Sequence, residues 1–538
     1  MVQLLTSFGA ILVAFVIIQS MPKESNGSNI LGVFTSHSPS HLIVHMSIMR
    51  TLAERGHNVT VLSSMPPKVT HENIKHIVVP LSAEDEKVLD EGMSGMVKTK
   101  QSFLSMMNSA SKSQSILMYK QVEVLEDPRF KELYLNKDNK FDVVFFGFFF
   151  NTYQVALGAR FNCPVIMSWC GPPMPLVNEL LGNPELSSVP QMHVAVAPGQ
   201  PMNFKKRLHN LASNIGFSMF NIYLNRKNQL FYDRLWGIDP SMPSFEEAKQ
   251  NVSLAFFNGH SLSEGPIRPN VPAVIEIGGI QIKSKPDPLP KDIKEFLDMA
   301  NYGAVLFSLG SNLKGEHIPP EIVTTIFKAL SSIKQQVIWK WEDIEKVPGK
   351  SANILYKNWL PQDDILAHPN VKLFITHAGK GGVSEALFHG VPMLALPVFA
   401  DQPGTADKLV ENGYGLRLEL AILKEKQFKA AIKEIIENPK YTQKAKTFSQ
   451  LYSDRPLSAQ ESVVYWTEYV IRHRGAPHMQ SSLVKMGFVA SNNLDIYILA
   501  LVVLYILFVV NKIFWKFVWR KVFGEPKIDS QNNQKKRE

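Results

Sequence analysis

The chain alternates between short apolar runs and longer segments with apolar residues at helical spacing. Residues 30–34 and 59–62 are apolar runs, and residues 41–55 between them have helical periodicity. Gly56 follows the periodic segment, as is typical of a helix end. A strand, a helix and a second strand joined by short connections predict a βαβ unit at the start of a parallel sheet.

The same alternation continues along most of the chain. FDVVFFGFFF (residues 141–150) and CPVIMSW (163–169) are too continuously apolar for a strand with one solvated face, so we predict buried strands there. A second series of strands and helices begins near residue 301 and includes YGAVLFSLGS, QQVIWKW, VKLFITHAGKGG and VPMLALPV. Between the two series, IEIGGIQIKSKPDPLPKD contains Pro286, Pro288 and Pro290 and predicts a linker. We therefore predict an α/β chain of two doubly wound domains, with the ligand site in the cleft between them.

Two apolar segments near the ends indicate membrane targeting. Residues 4–18 have the length of a signal-peptide core, so residues 1–20 are predicted to be a signal peptide, with an uncleaved anchor as the alternative. Residues 496–510 are uncharged and are followed by a basic stretch with Trp515 and Trp519. This predicts a transmembrane helix rather than the alternative, a buried core helix. The basic residues after it place the tail in the cytosol and the domains in the lumen, which makes a single-pass type I membrane protein.

Composition adds three limits. A chain of 538 residues is too long for a single hydrophobic core, so more than one domain is expected. A hydrophobic fraction of 45% with a charged fraction of 20% is typical of folded domains. Part of the net charge of +9 lies after residue 511, so the charge does not indicate a nucleic-acid partner. Cys163 and Cys170 either pair in the lumen or serve as small apolar fillers, and no cysteine spacing indicates a metal site.

The most specific motif is FITHAGKGGVSEALFHGVPMLALPVFADQ, residues 374–402. A strand followed by a glycine-rich loop and a helix directs backbone N–H groups to one place, as in phosphate-binding sites. The spacing of its His, Gly, Glu, Pro and Asp-Gln positions resembles the signature of the UDP-glycosyltransferase family. FSLGS (307–311), NWLPQDDILAHP (358–369) and SHLIVHMSIMRTLAERGHNVTV (40–61) are similar to that family too. The chain is most similar to the membrane-bound animal type, and GNP (182–184) with FNCPVI resembles the insect UDP-glucosyltransferases.

The resemblance implies a GT-B fold, two Rossmann-like domains facing a cleft, with the UDP-sugar in the second domain. It implies that Trp359 stacks on uracil with Gln362 beside it, and that Glu385 accepts the ribose hydroxyls. The remaining donor-binding residues follow from it as well: Ser311, His377, Gly379, Gly381 and Gly382 at the diphosphate, and Asp401 and Gln402 at the sugar hydroxyls. Their chemistry agrees with these roles, since an aromatic face suits a base, a carboxylate suits a diol and N–H groups suit phosphates.

His41 matches the family's general base, sixteen positions before His57. We expect His45, one turn further along the helix, to have only a structural role. In the family an acid after the FDVV strand orients the base, but the aligned residue here is Gly147. Asp142 begins the strand and does not match that position, and Asn151 lies beyond an apolar run. The partner acid of His41 is therefore not identified.

Two other departures concern the donor. Gly381 stands where many vertebrate relatives have Asn against the diphosphate, and a backbone amide can partly substitute. Phe257 stands where the resemblance implies an Arg in glucuronosyl enzymes, so a bidentate partner for a sugar carboxylate is missing. The prediction is inverting transfer of glucose from UDP-glucose to a hydroxyl of a lipophilic small molecule, as in detoxification, without a metal or other cofactor. The alternative, because of Gly147, is a catalytically weak UDP-sugar-binding member that acts as a partner or carrier.

The implied organisation follows the chain: a signal peptide (1–20), an N-terminal acceptor-binding domain (21–275), a linker (276–300), a UDP-sugar-binding domain (301–460), helices returning to the first domain with a membrane-proximal segment (461–493), a transmembrane helix (494–514) and a cytosolic tail (515–538). The Met- and Phe-rich segments around residues 83–125 and 172–235 suit lipophilic acceptors, although they are equally explained as core. The expected partners are the UDP-sugar, the acceptor and the lipid bilayer, and homo- or hetero-oligomerisation stays open.

Short motifs refine the predicted location. Asn26 and Asn251 begin N-glycosylation sequons that are usable in the lumen, whereas the Asn58 sequon starts a predicted buried strand and is expected to be unmodified. The chain ends in KKRE, in which Lys535 and Lys536 resemble a dilysine retrieval signal. We therefore expect an endoplasmic reticulum membrane protein with lumenal catalytic domains.

Overall fold

The structure, a computed structural model, describes residues 27–88, 91, 103–136, 138–191, 194–196, 200–261, 267–311 and 313–524. The chain divides into a unit up to Ser481 and a second unit from Ser482. The first unit contains two parallel sheets, of seven and six strands. Each sheet is formed by one of the two strand-and-helix series in the sequence.

The first sheet has the strand order β3-β2-β1-β4-β5-β6-β7, and all neighbouring strands are parallel. Its centre is continuously apolar, as expected for a sheet covered by helices on both faces. The strands are β1 (Asn29–Phe34), β2 (Asn58–Ser63), β3 (Ile74–Val78), β4 (Val143–Gly147), β5 (Val165–Trp169), β6 (Val252–Phe257) and β7 (Val274–Glu276).

Several helices lie in the part of the chain that forms this sheet. They are α1 (Pro39–Glu54), α2 (Phe103–Glu126), α3 (Pro128–Leu135), α4 (Ala156–Phe161), α5 (Pro175–Asn178), α6 (Phe204–Trp236) and α7 (Phe245–Lys249). Helix α1 begins with Pro39, whose fixed φ and missing N–H suit the first helical position.

The second sheet has the order β10-β9-β8-β11-β12-β13 and is also parallel throughout. Its strands are β8 (Ala304–Ser308), β9 (Gln336–Lys340), β10 (Ile354–Lys357), β11 (Val371–Thr376), β12 (Met393–Ala395) and β13 (Gly415–Arg417). The helices around it are α8 (Lys291–Asp298), α9 (Pro320–Ser331), α10 (Gln362–Leu366), α11 (Lys380–Phe388), α12 (Gln402–Glu411), α13 (Glu425–Glu437) and α14 (Pro439–Ser453).

Two segments of the chain connect the two sheets. The segment predicted to be a linker contains α8, whose Ile293 and Leu297 are buried in a core of the second sheet. Helix α15 (Ala459–His473) follows the second sheet but packs on the first, with Val463 and Val470 buried in the first sheet's core. The chain therefore crosses back at about residue 455, where Arg455 donates from Nη1 to the carbonyl oxygen of Gly278 at 2.7 Å.

The second unit contains α16 (Phe488–Ser491) and α17 (Leu494–Phe523). Helix α17 has 30 residues, a window of mean hydropathy 2.5 and no buried part. Its length and composition suit a membrane span, as predicted, and the helix continues nine residues past the predicted end at 514.

The structure also bears on the cysteines and sequons. Cys163 and Cys170 are both free and buried, so they are not paired with each other. Asn251 is exposed, although its Nδ2 donates to the Cys163 carbonyl oxygen at 3.3 Å. Asn58 starts a largely buried strand, as predicted, but is itself exposed, so burial of Asn58 does not explain an unmodified sequon and its modification state stays a prediction. The signal peptide, Asn26, Lys535 and Lys536 lie outside the described residues.

Candidate functional site

A cavity of about 2420 Å³ lies where the two sheets face each other. The loops that follow β1, β8 and β11 border it, so it lies at carboxyl ends of parallel strands, where α/β folds bind ligands. It is lined by His41 from the first sheet's side and by every predicted donor-binding residue: Ser311, Trp359, Gln362, His377, Gly379, Gly381, Gly382, Glu385, Asp401 and Gln402. The sequence-predicted residues thus share one cavity.

The loop between β11 and α11 is built around the His377 ring. A Cβ atom at Gly379 would lie 2.4 Å from His377 Nε2, and one at Gly310 would lie 2.5 Å from His377 Cε1. Gly310 also has a φ of +83°, which L side chains rarely adopt. Burial and then nearby Lys340 lower the pKa of His377 to about 4. The ring is therefore neutral at pH 7 and sits in a slot that only glycines can border.

The start of α11 is suited to an anion. Gly379 caps the helix, and the Gly381 position has no other atom within 4 Å of where its Cβ would be. The first-turn N–H groups of this nine-residue helix and its dipole favour negative charge. Lys340, at the end of β9, lines the same cavity and pairs with Glu342 at 2.5 Å. Backbone amides and a lysine thus form a region fit for a diphosphate.

The opposite side of the second-domain site is formed by α10 and the segment before it. Trp359 is 43% exposed, so its ring face can accept a stacked base, and Lys68 Nζ lies 5.2 Å from the ring centre. Gln362 Nε2 donates to Glu385 Oε2 at 2.6 Å. Burial, followed by the nearby Asp363, raises the pKa of Glu385 to about 8. This carboxyl is therefore largely protonated at pH 7.

Asp401 and Gln402 begin α12 at the edge of the cavity. Burial raises the pKa of Asp401 above its ordinary value. Gln402 is buried, and its Oε1 accepts from the backbone N–H groups of Val398 at 2.9 Å and Phe399 at 3.1 Å. Gln402 therefore fixes the turn before α12 with its oxygen, and its amide nitrogen is the part suited to a sugar hydroxyl.

His41 lies in the first turn of α1, surrounded by aromatic rings. Phe149 and Trp169 meet it edge-on, at ring-centre distances of 5.3 Å and 6.0 Å. Burial lowers the pKa of His41 to about 4. Its Nδ1 is enclosed and has no hydrogen-bond partner among the described residues. His41 is thus neutral at pH 7 and without the partner that a general base usually has.

Gly147 ends β4, and the place for a side chain there is filled by His45. A Cβ atom at residue 147 would lie 2.6 Å from His45 Nε2 and 3.0 Å from the Phe34 ring. His45 is fully buried, stacks on Phe34 at 4.7 Å and is 2.8 Å from Ser168 Oγ through Nδ1. An acid at residue 147 and the present His45 ring are therefore sterically incompatible.

The two other polar residues considered near this position have structural roles. Asn151 Nδ2 donates to the Gly147 carbonyl oxygen at 3.0 Å, and its Oδ1 accepts from Phe149 N at 2.7 Å. Asp142 lies at the start of the strand, where its Oδ2 accepts from Asn29 N at 2.8 Å. Each contributes to the backbone of the loop or strand rather than to the orientation of His41.

Sequence reasoning missed several residues that line the cavity: Lys68, Gln281, Gly310, Lys340 and Asp363. Lys340 is the last residue of an apolar strand, which is the signal that could have identified it, because the carboxyl ends of parallel strands border the ligand site. Lys68 and Gln281 come from loops with no distinctive pattern. Within the part of the chain that the structure describes, no three His, Cys, Asp or Glu side chains form a group that could hold a metal ion.

Residues 31–528 match the sequence profile of the family described as "UDP-glucoronosyl and UDP-glucosyl transferase". UDP-glycosyltransferase UGT5 of Dactylopius coccus is 35% identical over 504 residues, which are 92% of this chain and 94% of that protein. UDP-glucosyltransferase 2 of the same organism is 32% identical and covers 85% of this chain and 87% of its own length. Human UDP-glucuronosyltransferase 2B15 is 30% identical, with 91% of this chain and 93% of that protein covered.

Solved structures give the same architecture. A UDP-glucosyltransferase from Polygonum tinctorium superposes with a TM-score of 0.54 at 16% identity, over 83% of this chain and 99% of that one. The kitacinnamycin glycosyltransferase gives a TM-score of 0.52 at 17% identity, over 84% and 99%. At such low identity these likenesses show the fold, and the predicted GT-B architecture with two Rossmann-like sheets is confirmed.

Proposed function

Because the chain belongs to this family of UDP-glucuronosyl and UDP-glucosyl transferases, we propose that it transfers glucose from UDP-glucose to a hydroxyl of a lipophilic small molecule. The observation that carries the proposal is the shared cavity: His41 from the first sheet and the phosphate-suited loop of the second sheet border one space. A nucleophile's base and a leaving group's binding site belong on opposite sides of the reacting carbon, which is the arrangement needed for inversion.

The second-domain residues would hold the donor. The Trp359 ring would stack on uracil, and Glu385, which its partner Gln362 orients, would bind the ribose hydroxyls. The α11 N-terminus and neutral His377, with Lys340 nearby, would bind the diphosphate and stabilise the negative charge that grows as UDP leaves. Asp401 and the Gln402 amide would position the sugar.

His41 would accept the acceptor's proton. In this step the acceptor oxygen forms a bond to C1 of glucose, the bond from C1 to the phosphate oxygen breaks, and UDP departs with that electron pair. The acceptor's hydrogen passes to the imidazole of His41 as attack proceeds and afterwards to solvent. The aromatic rings around His41 exclude water, which would otherwise compete as nucleophile.

The choice of glucose is supported by Phe257. Its side chain is fully buried in the core of the first sheet and does not border the cavity. A glucuronate carboxylate would need a cation at the sugar, and this position provides none. Asn258, the next residue, does line the cavity, and its Oδ1 accepts from Gly279 N at 3.0 Å.

The acceptor part of the cavity supports a lipophilic substrate. It is lined by apolar and aromatic side chains of the first domain, among them Ile116, Phe149, Met174, Phe217 and Phe220. Apolar walls beside His41 suit a lipophilic molecule that presents a hydroxyl to the base. We propose that residues 21–275 form the acceptor-binding domain and 301–460 the UDP-sugar-binding domain.

Donor competition tests this proposal. Membranes containing the full chain receive a phenol acceptor with UDP-glucose and UDP-glucuronate at equal concentration, and both conjugates are quantified. We expect the glucoside to dominate. A dominant glucuronide would refute the glucose assignment while leaving the family intact.

We further propose that the protein is a type I protein of the endoplasmic reticulum membrane, with α17 as the span, lumenal catalytic domains and retrieval by Lys535 and Lys536. The apolar, unburied α17 and its basic end support this orientation. Replacing both lysines with Ser should release the protein toward the cell surface, as measured by immunofluorescence. An unchanged location would remove the retrieval signal from the proposal but not the membrane span.

A further inference from the structure

The catalytic side of the cavity contains a base without a partner. His41 Nδ1 is enclosed and unpartnered among the described residues, and the aromatic side chains of Phe149 and Trp169 meet the ring edge-on. Because Nδ1 is enclosed, a proton from an acceptor in the cavity must go to Nε2. This requires the tautomer with hydrogen on Nδ1, and no hydrogen bond from a described residue holds that tautomer in place.

The missing partner cannot be supplied by the neighbouring strand. The position at the end of β4 from which a side chain would reach this region is Gly147, and the His45 ring occupies the space. His45 is itself fixed by Ser168 at 2.8 Å, by the stack on Phe34, and by Cys170 Sγ at 3.7 Å from its Nε2. Burial, and then the nearby His41, lower the pKa of His45 to about 3, so His45 brings no charge to balance a protonated His41.

Because His41 has no partner that stabilises its protonated form, the acceptor hydroxyl must release its proton easily. A base whose protonated form is not stabilised removes a proton efficiently only from a hydroxyl that gives it up readily. Aromatic hydroxyls are far more acidic than aliphatic ones, and aromatic rings fit the walls formed by Phe149, Trp169 and Phe220.

We propose that the acceptors of this protein are aromatic hydroxyls, selected over aliphatic alcohols because His45 fills the place of the carboxylate that would assist His41. This inference rests on the proposed function and specifies its substrate class. His45 affects acceptor specificity indirectly, because its ring excludes an acid at residue 147, and it does not touch the reacting atoms.

Matched acceptors test the inference on the unmodified full chain in membranes with UDP-glucose. Para-nitrophenol and para-nitrobenzyl alcohol have similar size and the same ring but very different hydroxyl acidity. We expect kcat/KM for the phenol to exceed that for the alcohol by about 100-fold or more, the lower range of general-base contributions. Among para-substituted phenols, we expect kcat/KM to rise with acidity. Similar rates for the phenol and the alcohol would overturn the inference.

A gain-of-function variant provides the second test. Gly147→Asp alone clashes with His45, whereas His45→Ala with Gly147→Asp removes the ring and adds a carboxylate in the space that the ring occupied. We expect the double variant to raise kcat for para-nitrobenzyl alcohol at least about 10-fold, with little change in KM, and His45→Ala alone to give no such gain. A folded double variant, with normal UDP affinity, that still rejects the alcohol would contradict the inference.

Different results would refute the acceptor class and the transferase function. If the protein forms glucosides of aliphatic alcohols as readily as those of phenols, the transferase assignment stands and the acceptor class is wrong. If no acceptor yields His41-dependent release of UDP from UDP-glucose, the proposed function fails and the inference fails with it. Should the double variant not fold, the comparison of acceptors on the unmodified chain still decides.

Discussion

At the residue scale, the site depends on glycines that leave room for a histidine. The His377 ring lies against Gly379 and Gly310 at distances that no Cβ atom could share. Packing against the His377 ring therefore explains why the sequence has glycine at these two positions. The two glycines permit close approach of the backbone to the ring, whereas Gly381, in the first turn of α11, has open space where its Cβ would be.

The two glycines of the loop predict opposite effects on stability. Gly379→Ala should lower the free energy of unfolding by roughly 1–3 kcal/mol, because its Cβ would lie 2.4 Å from His377. Gly381→Ala is the matched control. Its Cβ meets no atom within 4 Å and it lies in a helix, so it should raise the free energy of unfolding by about 0.5–1 kcal/mol. Thermal unfolding measures both, and equal effects would contradict the packing around His377.

Glu385 predicts a pH effect on stability. Its pKa rises from 4.5 to about 8 in the folded protein. Between these values the folded state binds a proton that the unfolded state lacks, so its contribution to the free energy of unfolding falls as pH rises from about 5 to 8. Glu385→Gln should remove this contribution, giving a smaller loss of melting temperature over that range than the unmodified chain shows. An identical pH profile for both proteins would show that Glu385 is not protonated.

Sequence reasoning identified residues whose chemistry belongs to a motif, but it did not identify residues that matter through shape. The predicted donor-binding residues and His41 line one cavity, and their individual roles stay predictions. His45 was expected to be merely structural, yet its ring decides whether residue 147 can be an acid. A single sequence contains no information on which two distant side chains compete for one space, so this relation became visible only in three dimensions.

At the element scale, strands were more predictable than connections. The apolar runs in the first series correspond to β1, β2, β4 and β5 because burial on both faces requires continuous apolar residues. The proline-rich segment was predicted to be a linker, but α8 within it buries Ile293 and Leu297. Prolines at 286, 288 and 290 precede that helix rather than interrupt it, and an N-terminal proline is compatible with a helix.

Helix α15 follows the second sheet in sequence but packs on the first sheet, so its buried side chains should stabilise the first sheet's core. Val470 is fully buried in the first sheet's core although it follows the second sheet in sequence. Val470→Ala should therefore lower the free energy of unfolding by roughly 1–3 kcal/mol. Arg472 on the same helix is exposed, so Arg472→Ala should change the free energy of unfolding by less than about 0.5 kcal/mol. Denaturant titration compares them, and equal small effects would place α15 outside the core.

At the scale of the whole molecule, the order of strands follows from chain topology. Each sheet changes direction next to its first strand, β1 in one and β8 in the other, and the cavity lies beside these points. Such switch points gather loops from both halves of a sheet, which is why a doubly wound fold predicts a ligand site before any residue is assigned. The sequence pattern was sufficient for this architecture. The shape of the acceptor pocket was not accessible from it, because helices α2 and α6 and the loops around Phe149 and Met174 come together only in the folded chain.

We propose that the protein transfers glucose within the cavity and that His41 is the base. The most direct measurement is formation of para-cresyl glucoside from UDP-glucose by the unmodified chain and by His41→Ala, each in membranes and each checked for UDP binding. We predict glucoside formation by the unmodified chain and a loss of about 100-fold or more in kcat for the variant, with UDP affinity unchanged. Equal glucoside formation by the two proteins would contradict the account.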